Sequence, residues 1–204
     1  MISTPPRHGA TIAHSNAAMT IGDTGKGYSH YFLTHGQFSM IDTIDHIASN
    51  FKQCCVSLWT WPSDKYEGLF RLQNHASIKT ARLVMDFSAT SPEVKERNKK
   101  IASQWQQRFG LKSVLTCNAH AKLATVETSD GLTFAVRGSL NLNVNDRMEQ
   151  LDISEGAEPF GAIRRMENTL PTIAEQTSPA IVSPFSQLNL FRVPSWKPNR
   201  REIV

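Results

Sequence analysis

The alternation of hydrophobic and polar positions predicts helices and strands in turn along most of the chain. In segment 37–51 apolar residues recur every three or four positions, which is typical of a helix that covers one side of a sheet. The apolar run 54–61 is short and rich in β-branched and aromatic residues, and it stops at Pro62, as expected of a buried strand. A helix at 64–77 and a strand at 81–87 follow, so this part of the chain predicts a strand–helix–strand unit.

The clearest helix signal begins at Ser91. Ser91, Pro92 and Glu93 supply an N-cap, a proline at the first helical position and an acidic first turn, and Gly110 marks the end of the helix. Further strands are predicted at 112–117, 120–127, 132–138 and 150–153, with a hairpin turn at 129–131, and a last helix is predicted at 159–173. The order of these elements predicts an α/β fold.

The chain divides into three segments by composition. Residues 1–27 are rich in Ser, Thr, Pro and Gly without apolar periodicity, and they predict a flexible N-terminal segment. Residues 28–177 carry the periodic pattern and form one predicted domain, which agrees with a chain of 204 residues. Residues 178–204 contain four prolines and several basic residues, and they predict an extended arm.

Composition excludes several classes of protein. Hydrophobic residues make up 40% of the chain and charged residues 20%, which is typical of a globular protein rather than a disordered or collagenous one. No apolar run approaches the roughly 20 residues that a membrane-spanning helix needs. The three cysteines have no metal-ligand spacing, so we expect reduced thiols and a cytoplasmic protein without a membrane partner.

The net charge of +4 is unevenly distributed. Residues 92–111 hold five basic and two acidic side chains, and residues 192–204 hold four basic and one acidic. Such segments suit a polyanionic partner, although a solvated helix face has the same composition. Lys99 and Lys100 in the first segment, and Arg147 outside it, are therefore candidates for binding substrate.

The most informative stretch contains three short motifs in order. His120-Ala-Lys122 comes first, Gly-Ser-Leu-Asn at 138–141 follows one predicted hairpin later, and Glu149 lies downstream. Residues two apart on a strand point to the same face, so His120 and Lys122 are expected side by side. An imidazole next to cationic and amide donors can attack phosphorus and stabilise its oxygens, which is the chemistry of phosphoryl transfer.

This combination resembles the HKD motif of the phospholipase D superfamily over roughly residues 28–155. In that family the motif is HxK, four residues, Asp and then GSxN, on a mixed β-sheet flanked by helices on both faces. The match is at His120, Lys122 and 138–141, whereas the acidic position holds Glu127, one methylene longer than Asp.

The resemblance implies a role for each matching residue. His120 would attack phosphorus to form a phosphohistidine, Lys122 and Asn141 would bind the non-bridging oxygens, and Ser139 and Glu149 would orient the site, without a metal or other cofactor. Glu127 would have a supporting role. The family's site uses two such motifs, so a chain with one is expected to form a homodimer with a shared site, as in single-motif bacterial endonucleases.

The expected activity is therefore cleavage of DNA or RNA. Trp59 and Trp61 share one side of strand 54–61 and are candidates to stack on a base, with burial in the core as the alternative reading. Two other functions remain open at this point. The chain could be a weak or inactive relative that only binds nucleic acid, or it could hydrolyse a lipid or a small phosphodiester.

Overall fold

The computed structural model describes residues 8–60, 67–88, 91–118, 120–141, 144 and 146–173. They form eight strands and five helices in the order β1 (His8–Ile12), α1 (Ala17–Ile21), β2 (Ser29–His35), α2 (Met40–Ser49), β3 (Cys54–Thr60), α3 (Glu67–Asn74), β4 (Ile78–Met85), α4 (Pro92–Phe109), β5 (Val114–Thr116), β6 (Leu123–Thr128), β7 (Thr133–Gly138), β8 (Met148–Glu155) and α5 (Ala157–Glu167).

All eight strands belong to one mixed sheet, in the order β1-β2-β8-β7-β6-β3-β4-β5. Its centre is antiparallel, because the four pairs β2–β8, β8–β7, β7–β6 and β6–β3 are all antiparallel. Its two margins are parallel, with β1 beside β2 on one side and β3, β4 and β5 on the other. The parallel pair β3 and β4 confirms the predicted strand–helix–strand unit.

Apolar side chains on the two faces of the sheet form separate cores. The larger core lies on the face that α1 to α4 cover, and fully buried Phe32, Leu58 and Trp105 belong to it. The smaller core lies on the opposite face beneath α5 and contains Trp59 and Ile163. Helices therefore cover both faces of the sheet, and the predicted α/β class is confirmed.

Local sequence signals explain where the helices begin and end. The Ser39 hydroxyl caps α2 by accepting a hydrogen bond from Asp42 N, and the Asp42 carboxylate accepts one from the backbone N–H of Ser39, so the first turn of that helix is satisfied from both sides. The helix α4 begins at Pro92 and is followed by Gly110 at φ 93°, as the sequence predicts. The hairpin turn at 129–131 is also confirmed, with Gly131 at φ 81°.

The N-terminal segment differs from its prediction. Residues 8–27 contain β1 and α1 instead of a flexible lead-in. The strand β1 pairs in parallel with β2, and a hydrogen bond of 2.8 Å joins Thr11 Oγ1 to His30 Nε2. The hydrophobic pattern did not predict this strand, because β1 is the outermost strand of the sheet and its side chains are mostly exposed. Such a strand carries no alternation of apolar and polar residues.

A buried carboxylate fixes α5 against the sheet. Glu167 is 1% exposed. Its Oε1 accepts hydrogen bonds from the hydroxyl of Ser57 and from Trp59 Nε1, the latter at 2.8 Å, while its Oε2 lies 3.1 Å from Arg164 Nη1 and 3.7 Å from Arg82 Nη1. These contacts offset the desolvation of the charge. The helix predicted at 159–173 is confirmed, with the bounds Ala157–Glu167.

None of the helices in the described ranges is long and apolar enough to cross a membrane. The predicted arm at 178–204 lies outside the described residues.

The strand β4, which lies between β3 and the outermost strand β5, provides a test of the core. Leu83 is fully buried between β3 and β5. We expect Leu83→Ala to lower the free energy of unfolding by about 2–5 kcal/mol, because it leaves a cavity in a packed region. Urea denaturation followed by circular dichroism would measure the loss. Leu111→Ala is the matched control, since Leu111 is 71% exposed, and it should change stability by less than about 0.5 kcal/mol. Equal effects would contradict the assigned core.

Candidate active site at the sheet edge

The candidate side chains gather at one edge of the sheet, where β6 begins and β7 ends. Leu123 at the start of β6 pairs with Arg137, and Gly138 at the end of β7 pairs with Leu151 of β8. The strand β2 ends at the same edge, where Thr34 lies opposite Glu149. The order of the strands thus brings together motifs that are about 30 residues apart in sequence.

His120 and Lys122 lie just before β6, in contact with each other. Lys122 Nζ is 3.3 Å from His120 Nδ1 and 3.5 Å from the His120 carbonyl oxygen. An ammonium group has no lone pair, so the Nδ1 atom accepts in this contact. The predicted strand at 120–127 begins three residues later than expected, yet the hydrogen bond of 3.3 Å from Gly138 N to Lys122 O extends the β6–β7 pairing to this point. His120 is exposed and therefore accessible to a substrate.

Ser139 and Glu149 form the second pair. The Ser139 hydroxyl donates a hydrogen bond to Glu149 Oε2. The same hydroxyl accepts a hydrogen bond of 3.0 Å from Gln150 N, while Ser139 N donates to Gln150 O at 3.0 Å. Three hydrogen bonds to β8 thus fix Ser139, and one of them fixes the orientation of the Glu149 side chain.

The two residues after Ser139 differ in burial. Leu140 is 3% exposed and packs in the larger core, whereas Asn141 is exposed. The Asn141 carbonyl accepts a hydrogen bond of 3.1 Å from Met40 N, the first residue of α2. The Asn141 side chain is therefore exposed to solvent next to the N-terminus of α2.

Gly138 permits the close approach of β7 to β8. A Cβ atom at this position would collide with the backbone carbonyl oxygen of Gln150. The position of a Cβ atom is fixed by its own backbone, and the carbonyl oxygen is itself a backbone atom, so no side-chain rotation can relieve the collision. The glycine of the Gly-Ser-Leu-Asn motif is thus required for the hydrogen bonds that hold Ser139.

The structure separates Glu127 from the other motif residues, and its supporting role stays a prediction. Glu127 lies five residues beyond Lys122, roughly 16 Å along β6 at 3.3 Å per residue. It points to the opposite face of the sheet, where its Oε2 is 3.9 Å from Arg164 Nη2. Its spacing from Lys122 is that of the motif, and because this spacing is odd, the two side chains lie on opposite faces of the strand.

Trp59 also lies away from His120. It is 3% exposed in the smaller core, on the opposite face from Lys122, and its Nε1 donates to Glu167. The prediction that Trp59 stacks on a base is therefore wrong, and the alternative reading as a core residue is confirmed. Trp61, the other candidate, lies outside the described residues.

The three basic candidates are exposed. Lys99 and Lys100 lie in the N-terminal half of α4, and Arg147 immediately precedes β8. Asn98, next to the lysines, donates a hydrogen bond of 3.1 Å to the carbonyl of Asp86 at the end of β4. This half of α4 thus lies at the same sheet edge as His120.

Two residues that the motif analysis missed border a small cavity beside the motif. Asp86 is 2% exposed, and its Oδ1 accepts a hydrogen bond of 2.6 Å from Ser88 N. Cys117 is 7% exposed, and burial together with the nearby Asp86 raises the pKa of its thiol. Ala121, between His120 and Lys122, lines the same cavity. A carboxylate directly after an apolar strand was the available sequence signal.

No three His, Cys, Asp or Glu side chains within the described ranges are grouped so that they could hold a metal ion.

Comparison with family models and with curated proteins finds no match to this chain. The chemistry of the site therefore has to be argued from its own side chains.

Gly138 offers a direct test of the β7–β8 contact. We expect Gly138→Ala to lower the free energy of unfolding by about 1–3 kcal/mol, because the new methyl group forces the two backbones apart. Thermal denaturation would measure the change, and faster amide exchange of Ser139 and Gln150 would locate it. Gly25→Ala is the matched control, since a Cβ there meets no atom within 4 Å, and it should be nearly neutral. Unchanged exchange at Ser139 in Gly138→Ala would contradict the assigned contact.

Proposed function

We propose that this protein is a phospholipase D-like phosphodiesterase that cleaves DNA or RNA without a metal ion. The observation that carries the proposal is the contact of 3.3 Å between the Lys122 ammonium and the His120 imidazole at an exposed sheet edge. A nucleophile and a cation so placed can act on the same phosphate group. The mixed sheet with helices on both faces is compatible with the fold of that family.

The His–Lys contact suggests how a substrate would activate the nucleophile. In the described conformation the Nδ1 lone pair is directed at the ammonium. A phosphate oxygen is a stronger acceptor for an ammonium group than a neutral ring nitrogen, because it carries negative charge. Binding of the phosphodiester to Lys122 would therefore release the imidazole ring for attack.

The reaction would proceed in two balanced steps. A ring nitrogen of His120 attacks phosphorus, a P–N bond forms, and the P–O bond to the leaving group breaks as a second imidazolium donates a proton to the leaving oxygen. Water then attacks phosphorus and gives its proton to that second imidazole, and the P–N bond breaks. Lys122 and Asn141 would stabilise the charge on the non-bridging oxygens in both steps.

The second imidazole would come from another copy of the chain. Each chain contributes one His120, and the mechanism needs a nucleophile and an acid on opposite sides of phosphorus. A two-fold axis next to the exposed sheet edge would supply both from identical residues. We therefore propose a homodimer with one shared site.

A nucleic acid is the substrate class that the charges favour. Arg147 is exposed at the sheet edge, and Lys99 and Lys100 are exposed on α4 near the same edge. Cations beside a phosphodiester site bind the flanking phosphates of a polyanion and make the affinity dependent on salt.

The activity is tested with labelled single- and double-stranded DNA and RNA in the presence of EDTA. We expect cleavage by the wild type and a loss of about 10³-fold or more in His120→Ala, because the nucleophile is removed. His8→Ala is the matched control, since His8 is exposed at the start of β1, at the opposite end of the strands from Glu149. Cleavage that persists in His120→Ala, or that EDTA abolishes, would contradict the proposed mechanism.

Trapping a covalent intermediate separates an enzyme from a protein that only binds nucleic acid. Quenching the wild type with a denaturant at alkaline pH, with end-labelled DNA as substrate, should retain label on His120 that is stable to alkali and is released by later treatment with acid. A binding protein would show salt-dependent affinity and no labelled chain.

The shared site makes a quantitative prediction for mixed dimers. When wild-type and His120→Ala chains are co-expressed in equal amounts, only about one dimer in four carries two histidines if the chains pair at random. Activity per total dimer should then fall to that fraction. A fall to one half, or full activity in a particle of 22.8 kDa by light scattering, would refute the shared site.

A further inference from the structure

A second groove lies at the other end of the strands, on the face that α5 covers. It has a volume of about 610 Å³, which is within the range of sites that hold small organic molecules. Cys55 near the start of β3 and Glu127 near the end of β6 both line it. The groove is therefore separated from His120 by most of the length of β6.

Basic side chains dominate the polar part of this groove. Arg82, Lys112 and Arg164 line it, against the carboxylate of Glu127 on its wall and the buried Glu167 behind the two arginines. The described groups thus leave one positive charge in excess. A groove of this kind attracts an anion.

Arg82 is held in a position that suits an oxyanion. Its Nη1 atom donates to Asn168 Oδ1 at 2.8 Å and lies 3.7 Å from Glu167 Oε2. Both of these contacts use Nη1, so among the described residues the edge formed by Nε and Nη2 is left for a ligand, and the side chain is 41% exposed. That edge carries two parallel N–H bonds, the geometry that binds phosphate or carboxylate oxygens in pairs.

Ser113 forms part of the groove wall, with its hydroxyl buried behind the groove surface. It lines the same groove and is 5% exposed, and its buried hydroxyl has no hydrogen-bond partner among the described residues. A buried hydroxyl without a partner is costly unless a ligand or water satisfies it. Phe109 and Leu111 provide an apolar wall beside it.

We propose that this groove binds a small organic phosphate, with the phosphate at Arg82 and Lys112 and a compact apolar or aromatic body against Phe109. Arg164 contributes charge but is engaged by Glu167 and Glu127. The apolar wall distinguishes such a ligand from inorganic phosphate, which would use only the basic residues. The proposal is independent of the chemistry at His120.

Calorimetry with two probes tests the groove. AMP should bind the wild type at low salt more tightly than inorganic phosphate does. Lys112→Ala and Arg82→Lys should each weaken AMP binding about tenfold, the usual effect of losing one hydrogen bond to a charged group. Lys52→Ala is the matched control, since Lys52 is exposed and does not line the groove, and it should bind AMP like the wild type.

Cys55 gives an independent readout inside the groove. Burial raises the pKa of the Cys54 thiol to about 11 and also raises that of Cys117, so Cys55, which is only half-buried, should be the one thiol that a maleimide labels rapidly. Saturating AMP should slow this labelling. The proposal is overturned if neither probe binds or if Lys112→Ala binds AMP like the wild type. It is also overturned if AMP binding is lost in His120→Ala while AMP leaves the labelling rate of Cys55 unchanged, because the anion would then bind next to His120.

Discussion

The antiparallel pairing of β6, β7 and β8 determines where every candidate side chain points. Leu123 pairs with Arg137 and Gly138 pairs with Leu151, so the two short motifs end up beside Glu149. A shift of one residue in either ladder would exchange the faces of the sheet for all the residues on that strand. The close backbone approach at Gly138 resists such a shift, because only a residue without a Cβ atom fits there.

The same alternation explains which residues could be assigned from sequence. His120 and Lys122 are two apart and contact each other, as their spacing predicted. The pairing of Ser139 with Glu149 depends on the neighbouring strand β8, and only the family resemblance pointed to it. Glu127 was assigned by counting along the motif, a procedure that ignores which face of the strand a residue occupies.

The fold was predictable where local signals were strong. The caps of α4 and the glycine of the hairpin turn identified those elements directly. The strand β1 has exposed side chains, so no local pattern revealed it. The sequence left burial and base stacking open for Trp59, because its hydrogen bond to the distant Glu167 could not be foreseen. The groove beneath α5 was also hidden, because Arg82 and Lys112 are 30 residues apart and meet only through the parallel margin of the sheet.

The N-terminal strand has a practical consequence for handling the protein. Its sequence invites removal of the first 27 residues as a dispensable tail. That cut would remove β1 and leave β2, a strand of seven residues whose alternate side chains enter the larger core, with an unpaired backbone edge. It would also uncover His30, against which Gly9 lies so closely that a Cβ there would be 2.6 Å from the ring. Exposed strand edges of this length pair with other chains, so the shortened protein would aggregate.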